Sequence, residues 1–310
     1  MKNIEMLKEI FNKKSLIFIL FFLLLTNLIY SYQLFFSGEE LTFFLKKKIE
    51  SSKSIRLVSF SLDDTISEEI LKTNYEIFLE YEGGYSGNYD LSIKYDKNRD
   101  GYLHEKFIVF DDQSVLFGTG NFTESGLMKD FNIFIYTEEK EIVKVFLKEL
   151  NNFKKGKFGI NKEQINVNLM GTELGNVRII TGPSEKIYNE ILKEIKKAKE
   201  FVNVIAYSFT DPYFVEILEK MSSKNVKIRI LSDDWNRIYE SPLKFILGVE
   251  LKYRNDIHAK ALIIDEETFI IGSYNLTYRA REKNDEIVLI IKNKGISKAI
   301  NRKFDLLWKE

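Results

Sequence analysis

The chain has 310 residues, 45% of them hydrophobic and 30% charged, with 3 prolines; this excludes a largely disordered polypeptide and suits one large domain or two repeats. Cysteine is absent, so disulfides, zinc–thiolate centres and a thiol nucleophile are excluded. Lysine plus arginine and aspartate plus glutamate both number 46, and such a balance gives no global attraction to a polyanion.

In chain order, the first feature is a stretch from Ser15 to Gly38 without a charged residue, built on the run Leu16 to Leu25. About 20 residues at about 1.5 Å each cross a hydrocarbon layer, so residues 15–36 are predicted to form a single transmembrane anchor. Lys8, Lys13 and Lys14 precede the run and Glu39 and Glu40 follow it. The positive-inside tendency then leaves residues 1–14 in the cytoplasm and the catalytic body on the extracytoplasmic side of the membrane. A cleaved signal peptide is the rival reading, but no small-x-small cleavage site follows the run.

A helix is predicted over 39–52, a strand over 55–60 and a helix over 66–72. A Gly/Asn/Asp-rich stretch over 83–101 leads to a strand carrying His104 into 107–110. A strand over 131–136 and a helix over 138–153 complete a first repeat, residues 39–153. Residues 154–176 read as a linker. The second repeat, residues 177–310, brings strands over 177–180, 201–207, 226–231, 257–264 and 286–291, with helices over 184–199, 213–221 and 297–308. Strands alternating with helices argue an α/β fold, two sandwich halves of one kind.

His104 and His258 are the only histidines, and each opens the same pattern. His104, Lys106, Asp111, Gly118, Thr119 and Asn121 recur at identical offsets as His258, Lys260, Asp265, Gly272, Ser273 and Asn275. One histidine alone is usually a surface or satisfied core residue; two with five matching polar or glycine offsets indicate a shared site. Within a strand, each histidine and the lysine two residues on share a face. One imidazole can then attack phosphorus while the other protonates the leaving oxygen. Lys106, Lys260, Asn121 and Asn275 would hold the non-bridging oxygens, and two ammonium groups could stand in for a metal ion, so neither metal nor cofactor is expected. Asp111 and Asp265 read as structural carboxylates at strand ends, Gly118 and Gly272 as turns near the phosphate, and Thr119 and Ser273 as hydroxyls beside it.

The doubled pattern His-x-Lys-x4-Asp-x6-Gly-[Ser/Thr]-x-Asn resembles that of the phospholipase D superfamily, over roughly residues 39–310. The resemblance implies two pseudo-symmetric α/β/α halves with one active site at their interface, acting as a monomer, and metal-independent cleavage of a phosphodiester through a phosphohistidine. It also implies a carboxylate that orients a histidine Nδ1. At 28 residues past the histidine, the second half has Glu286 and the first has Asn132. If each residue serves its own half, His258 is the more basic histidine, with Asp130 a possible substitute carboxylate in the first half; family precedent places the nucleophile in the first half instead.

The reading that follows is a membrane-anchored phosphodiesterase that hydrolyses or transfers the phosphatidyl group of a phospholipid in a membrane. A cardiolipin-synthase-like transferase is one alternative. A nuclease acting on nucleic acid is another, and it needs a positive groove drawn from Lys155, Lys157, Arg254, Arg279 and Arg281. A non-catalytic scaffold is the third. The aromatic residues and the Lys46 to Lys48 run read chiefly as core packing and a solvated helix face. The loops over 83–101 and 233–248 are expected to frame the cleft.

Overall fold

The computed structural model describes residues 32–97 and 100–310. Strands β1 (Tyr32–Phe36), β2 (Ser54–Ser59), β3 (Asn74–Glu80), β4 (Ile93–Asp96), β5 (Phe107–Phe110), β6 (Ser114–Gly118) and β7 (Ile133–Thr137) form one sheet. Their spatial order is β1, β7, β6, β5, β2, β3, β4. The second sheet holds β8 (Asn166–Thr172), β9 (Gly175–Thr181), β10 (Phe201–Ala206), β11 (Lys227–Asp233), β12 (Glu250–Arg254), β13 (Lys260–Ile264), β14 (Thr268–Gly272) and β15 (Ile287–Lys292). Here the order is β12, β11, β10, β13, β14, β15, β9, β8. Strands β7, β6, β5, β2, β3 and β4 therefore correspond in order to β15, β14, β13, β10, β11 and β12.

The correspondence extends one strand further. β1 lies antiparallel to β7, and β9 lies antiparallel to β15. Tyr32–Phe36 is thus the first-half counterpart of the strand that opens the second half, and it belongs to the domain. The expected anchor over 15–36 is corrected at its C-terminal end, where residues 32–36 pair in a sheet and Phe35 is buried; residues 15–31 lie outside the described residues. Among the described residues no helix is long and apolar enough to cross a membrane. The segment expected as a linker, 154–176, contains β8, which extends the second sheet.

Helices α1 (Glu39–Ser51), α2 (Ser67–Leu71), α3 (Lys140–Lys154), α4 (Glu185–Ile195), α5 (Pro212–Ser222), α6 (Trp235–Ile238), α7 (Tyr278–Glu282) and α8 (Lys294–Lys309) complete the chain. α1 buries Leu41, Leu45 and Ile49, one stripe at spacing four, against Ile55, Leu57, Ile108 and Phe110 on the outer face of the first sheet. α4 and α5 cover the outer face of the second sheet through Ile187, Ile191, Phe214 and Leu218. α8, capped by the Asn293 side chain, sends Ile296, Ile300 and Phe304 into a central layer with Phe146 and Phe153 of α3. Phe107 and Val109 of β5 and Ala261 and Ile263 of β13 face that same layer. Both strands are buried on both faces, which is why they read as unbroken apolar runs.

The β5–β6 hairpin turns through Asp111 and Asp112 at φ 53° and 58°, and the β13–β14 hairpin through Asp265 and Glu266 at φ 52° and 51°. Asp111 accepts a hydrogen bond from the Ser54 amide at 2.8 Å, and Asp265 from the amides of Lys199, Glu200 and Phe201 at 2.7 to 2.9 Å. These carboxylates tie each turn to the start of β2 or β10, at the opposite end of β5 and β13 from the histidines.

Candidate active site

His104 and His258 sit just before β5 and β13, where the two halves cross-bridge. The His104 amide donates to the Asp285 carbonyl at 3.0 Å, and the Asp285 amide to the Tyr102 carbonyl at 2.8 Å. On the other side, the amides of His258 and Ala259 both donate to the Phe131 carbonyl, at 3.2 and 2.9 Å. Each histidine is thus held against the residue that precedes Glu286 or Asn132 in the other half. Gly101 lets this seam close, because a Cβ there would strike the Lys283 carbonyl.

This crossing corrects the expected pairing. The Glu286 carboxylate, fully buried, meets His104 rather than His258, with both oxygens 3.0 Å from Nδ1. Asn132 Oδ1 lies 3.0 Å from His258 Nδ1. Asp130 does not take that place: its carboxylate accepts from Ser125, and Asn132 fills the position at His258. Because an amide oxygen and a carboxylate only accept, each Nδ1 carries the proton; Nε2 of His104 is left for the cleft, and Nε2 of His258 also lies 3.3 Å from Lys260 Nζ.

Thr119 and Ser273, expected as hydroxyls beside the phosphate, are spent on protein side chains. Both are buried; Thr119 donates to Asn132 Oδ1 at 2.9 Å, and Ser273 donates to Glu286. They orient the side chains that orient the histidines. Gly118 and Gly272 serve strand packing, since a Cβ at either would meet the neighbouring carbonyl of Ile133 or Ile287.

The lysines are buried beside the histidines. Lys106 Nζ donates to the His104 carbonyl, while Lys260 Nζ donates to the carbonyls of His258 and Thr119 at 2.6 and 3.3 Å. Lys260 Nζ also lies 3.2 and 3.3 Å from the two ring nitrogens of His258. Burial pushes Lys106 down to about 7 against the pull of Glu286 and Glu105, and pushes Lys260 well below the ordinary lysine range. Burial also lowers both histidines. His104 falls to about 4 with Glu286 opposing the drop; His258 falls well below 6.5, its neighbours Lys260, Lys106 and His104 all adding to the fall. Burial alone would raise Glu286, but His104, Lys106 and the Ser273 hydroxyl hold it below the usual carboxylate range.

Three features were not expected from the sequence. Glu80 Oε2 accepts the Leu103 amide at 2.7 Å, so the first half anchors the residue before its histidine on a carboxylate at the end of β3; Asp233, at the end of β11, lies near the Ile257 amide in the second. Phe60 packs edge-on to His104 at 5.8 Å between centroids, and Tyr207 lies 4.7 Å from His258. Behind His104, Lys162 Nζ contacts Glu105 and Asp285 at 2.8 Å each, and Glu149. These four side chains are buried, whereas the positions in the opposite halves matching Glu105 and Asp285 by the motif offset hold Ala259 and Phe131. A charged residue between His104 and Lys106, where Ala259 stands in the other copy, was the available hint.

Both histidines, Asn121 and Asn275 line one cavity of about 680 Å³ with Phe60, Tyr102, Tyr207, Trp235, Tyr278 and Arg279. The Oδ1 atoms of Asn121 and Asn275 are buried without a hydrogen-bond partner. From the loops expected to frame the cleft, Trp235 contributes to its wall. Of the five basic residues a nucleic-acid groove would draw on, Arg279 is the one that lines the cavity; Arg254 pairs with Asp256 and Glu310, and Arg281 with Asp211 and Glu282.

Residues 85–154 and 191–308 match the family model described as cardiolipin synthase, phospholipase D-like domain, which is more than half of the chain. A phospholipase D of Rickettsia prowazekii is 28% identical over 46% of this chain and 73% of its own length. The mitochondrial cardiolipin hydrolase of Mus musculus is 23% identical over 41% of this chain and 60% of its own length. Among solved structures, the phosphatidylserine synthase of Haemophilus influenzae superposes with a TM-score of 0.67 at 11% identity, covering 89% of this chain and 86% of that one, a likeness of fold.

Proposed function

The chain belongs to the phospholipase D superfamily, within the phospholipase D-like domain family of cardiolipin synthases, and from that premise we propose that it is a phosphodiesterase that cleaves or transfers the phosphatidyl group of a glycerophospholipid. The observation that carries this reading is the pair of histidines in one cavity, each with Nδ1 held by the opposite half and each beside a buried lysine.

His104 is the proposed nucleophile, because Glu286 stabilises the positive charge its ring gains on bonding to phosphorus. Its Nε2 attacks phosphorus, the bond to the leaving alkoxide breaks, and protonated His258 gives that oxygen its proton. His258 then takes a proton from water or an acceptor alcohol, whose oxygen attacks phosphorus and breaks the P–N bond, restoring His104. Lys106 and Lys260 neutralise the non-bridging oxygens, with the Asn121 and Asn275 amides as further donors. An anionic diester beside these groups favours their charged forms, so binding itself protonates the lysines and His258. Asp111 and Asp265 act at a distance, as turn ties.

A lipid substrate is favoured over nucleic acid by the scarcity of cations in the cavity wall, where Arg279 is the one arginine among the described residues. A membrane tether in residues 15–31 remains part of the proposal. Tyr32 pairs with Thr137, at the far end of β7 from Asn132, so the chain enters the first sheet remote from the histidines.

The test uses the full chain and its His104→Ala and His258→Ala variants, in EDTA, with mixed phospholipid vesicles plus ethanol and, separately, with single- and double-stranded nucleic acid. Phosphatidic acid or phosphatidylethanol formed by the wild type and lost in both variants supports the reading. Cleaved nucleic acid with untouched lipid would overturn it in favour of a nuclease.

A further inference from the structure

The pseudo-two-fold cleft is electrostatically one-sided. Residues 278–283 hold three basic residues, and two are committed elsewhere. Arg281 pairs with Asp211 at 3.1 Å and Glu282 at 2.9 Å and stacks among Tyr188, Tyr213 and Tyr278, while Lys283 pairs with Asp100 at 2.9 Å across the seam. Arg279 differs. Its guanidinium carbon lies 3.8 Å from the centroid of the Tyr102 ring, no ion pair joins it to a carboxylate among the described residues, and both residues line the cavity that holds the histidines. Stacking on a ring occupies the face of a guanidinium and leaves its N–H edge for an acceptor. The first-half counterpart by the motif offset is Ser125, whose hydroxyl is spent on Asp130.

We infer that Arg279 forms an anion subsite, and that the enzyme prefers phospholipids whose headgroup carries a second phosphate or carboxylate besides the scissile diester. This rests on the phosphodiesterase reading and deepens it. The scissile phosphate is served by Lys106 and Lys260, so a fixed third cation on one side of the cleft has work to do only with a second negative group, and it repels a cationic headgroup. It also breaks the symmetry between the two ways a diester can enter, presenting one ester oxygen to the acid consistently. A guanidinium edge suits phosphate or carboxylate because it binds two oxygens at once.

The experiment measures kcat/KM of the full chain, wild type, Arg279→Ala and Arg279→Lys, on diphosphatidylglycerol and phosphatidylcholine at equal mole fraction in detergent micelles, with bis(p-nitrophenyl) phosphate as a soluble diester. The wild type is expected to favour diphosphatidylglycerol, and Arg279→Ala to lower the diphosphatidylglycerol-to-phosphatidylcholine ratio by about 10- to 100-fold, with Arg279→Lys in between. A ratio unchanged by Arg279→Ala overturns the subsite even when the soluble diester and both lipids are turned over. So does a wild-type preference for phosphatidylcholine, or cleavage of a single-stranded oligonucleotide with both lipids untouched. Wild-type inactivity on all these diesters would overturn the phosphodiesterase reading, and the subsite with it.

Discussion

Replacing Lys162 with methionine removes the cation that, among the described residues, Glu105, Glu149 and Asp285 share in a buried cluster. Burial and mutual repulsion already hold Glu105 well above the ordinary carboxylate range, burial raises Asp285, and the three carboxylates in return hold Lys162 well above the ordinary lysine range despite its burial. Breaking a buried ion pair on one side costs about 3–5 kcal/mol. With an unfolding entropy of about 2.1 cal/mol/K per residue, a cooperative unit of roughly 280 residues has an entropy of about 0.6 kcal/mol/K, so Tm should fall by about 5–8 °C. The loss should depend on pH with a definite sign. Without the lysine, carboxylates whose folded pKa lies above the unfolded value cost stability at neutral pH, and that cost fades as pH falls through their raised folded range toward the unfolded one. The Tm difference from wild type, followed by calorimetry, should therefore be larger at pH 7.5 than at pH 5. Glu105 and Asp285 adjoin His104 and Glu286 in the chain, so kcat should fall by about tenfold or more with a smaller change in KM. A Tm within about 2 °C of wild type at pH 7.5, or a deficit that grows on acidification, would refute the reasoning.

Glu286→Gln should lower kcat by about 10- to 100-fold, because His104 loses the charge that stabilises its ring, while Asn132→Asp should raise the proton affinity of His258 and move the limb of the pH–rate profile that reports the acid to higher pH; equal, unshifted profiles would contradict the crossed pairing. Orthovanadate binding at pH 7.5 should be accompanied by net proton uptake, since Lys106 near 7, the depressed Lys260 and His258 regain charge beside an anion; calorimetry in buffers of different ionisation enthalpy would show a zero slope if they do not. A chain begun at Gly38 should be less stable and less active than one begun at Tyr32. It lacks the strand pairing with β7 and Ser37, whose hydroxyl accepts the Asn132 amide at 2.9 Å; matching Tm and kcat for the two would show that β1 is dispensable.

Local spacing made the histidines, lysines and motif aspartates legible, because His-x-Lys and the seven-residue step to the turn lie within one strand and hairpin, where a period of two and a tight turn leave little choice. The same economy revealed the duplication and the α/β class. Strand β1 was not legible: Tyr32–Phe36 continues an apolar run with no charge between Ser15 and Gly38, and composition does not distinguish a buried edge strand from the end of a membrane helix. Strands β3, β4, β6, β8, β12 and β14 also escaped, β3 hidden by Glu76 and Glu80, and β6 and β14 as short apolar runs close behind β5 and β13.

What the sequence by itself determined is the chemistry at the centre, two imidazoles each with an ammonium two residues away. What only the tertiary structure decided is which half serves which histidine. His104 and Glu286 are 182 residues apart, as are Asp100 and Lys283 nearby within one position, and the packing of two sheets across a seam, which no local period encodes, brings the carboxylate to the first histidine and the amide to the second.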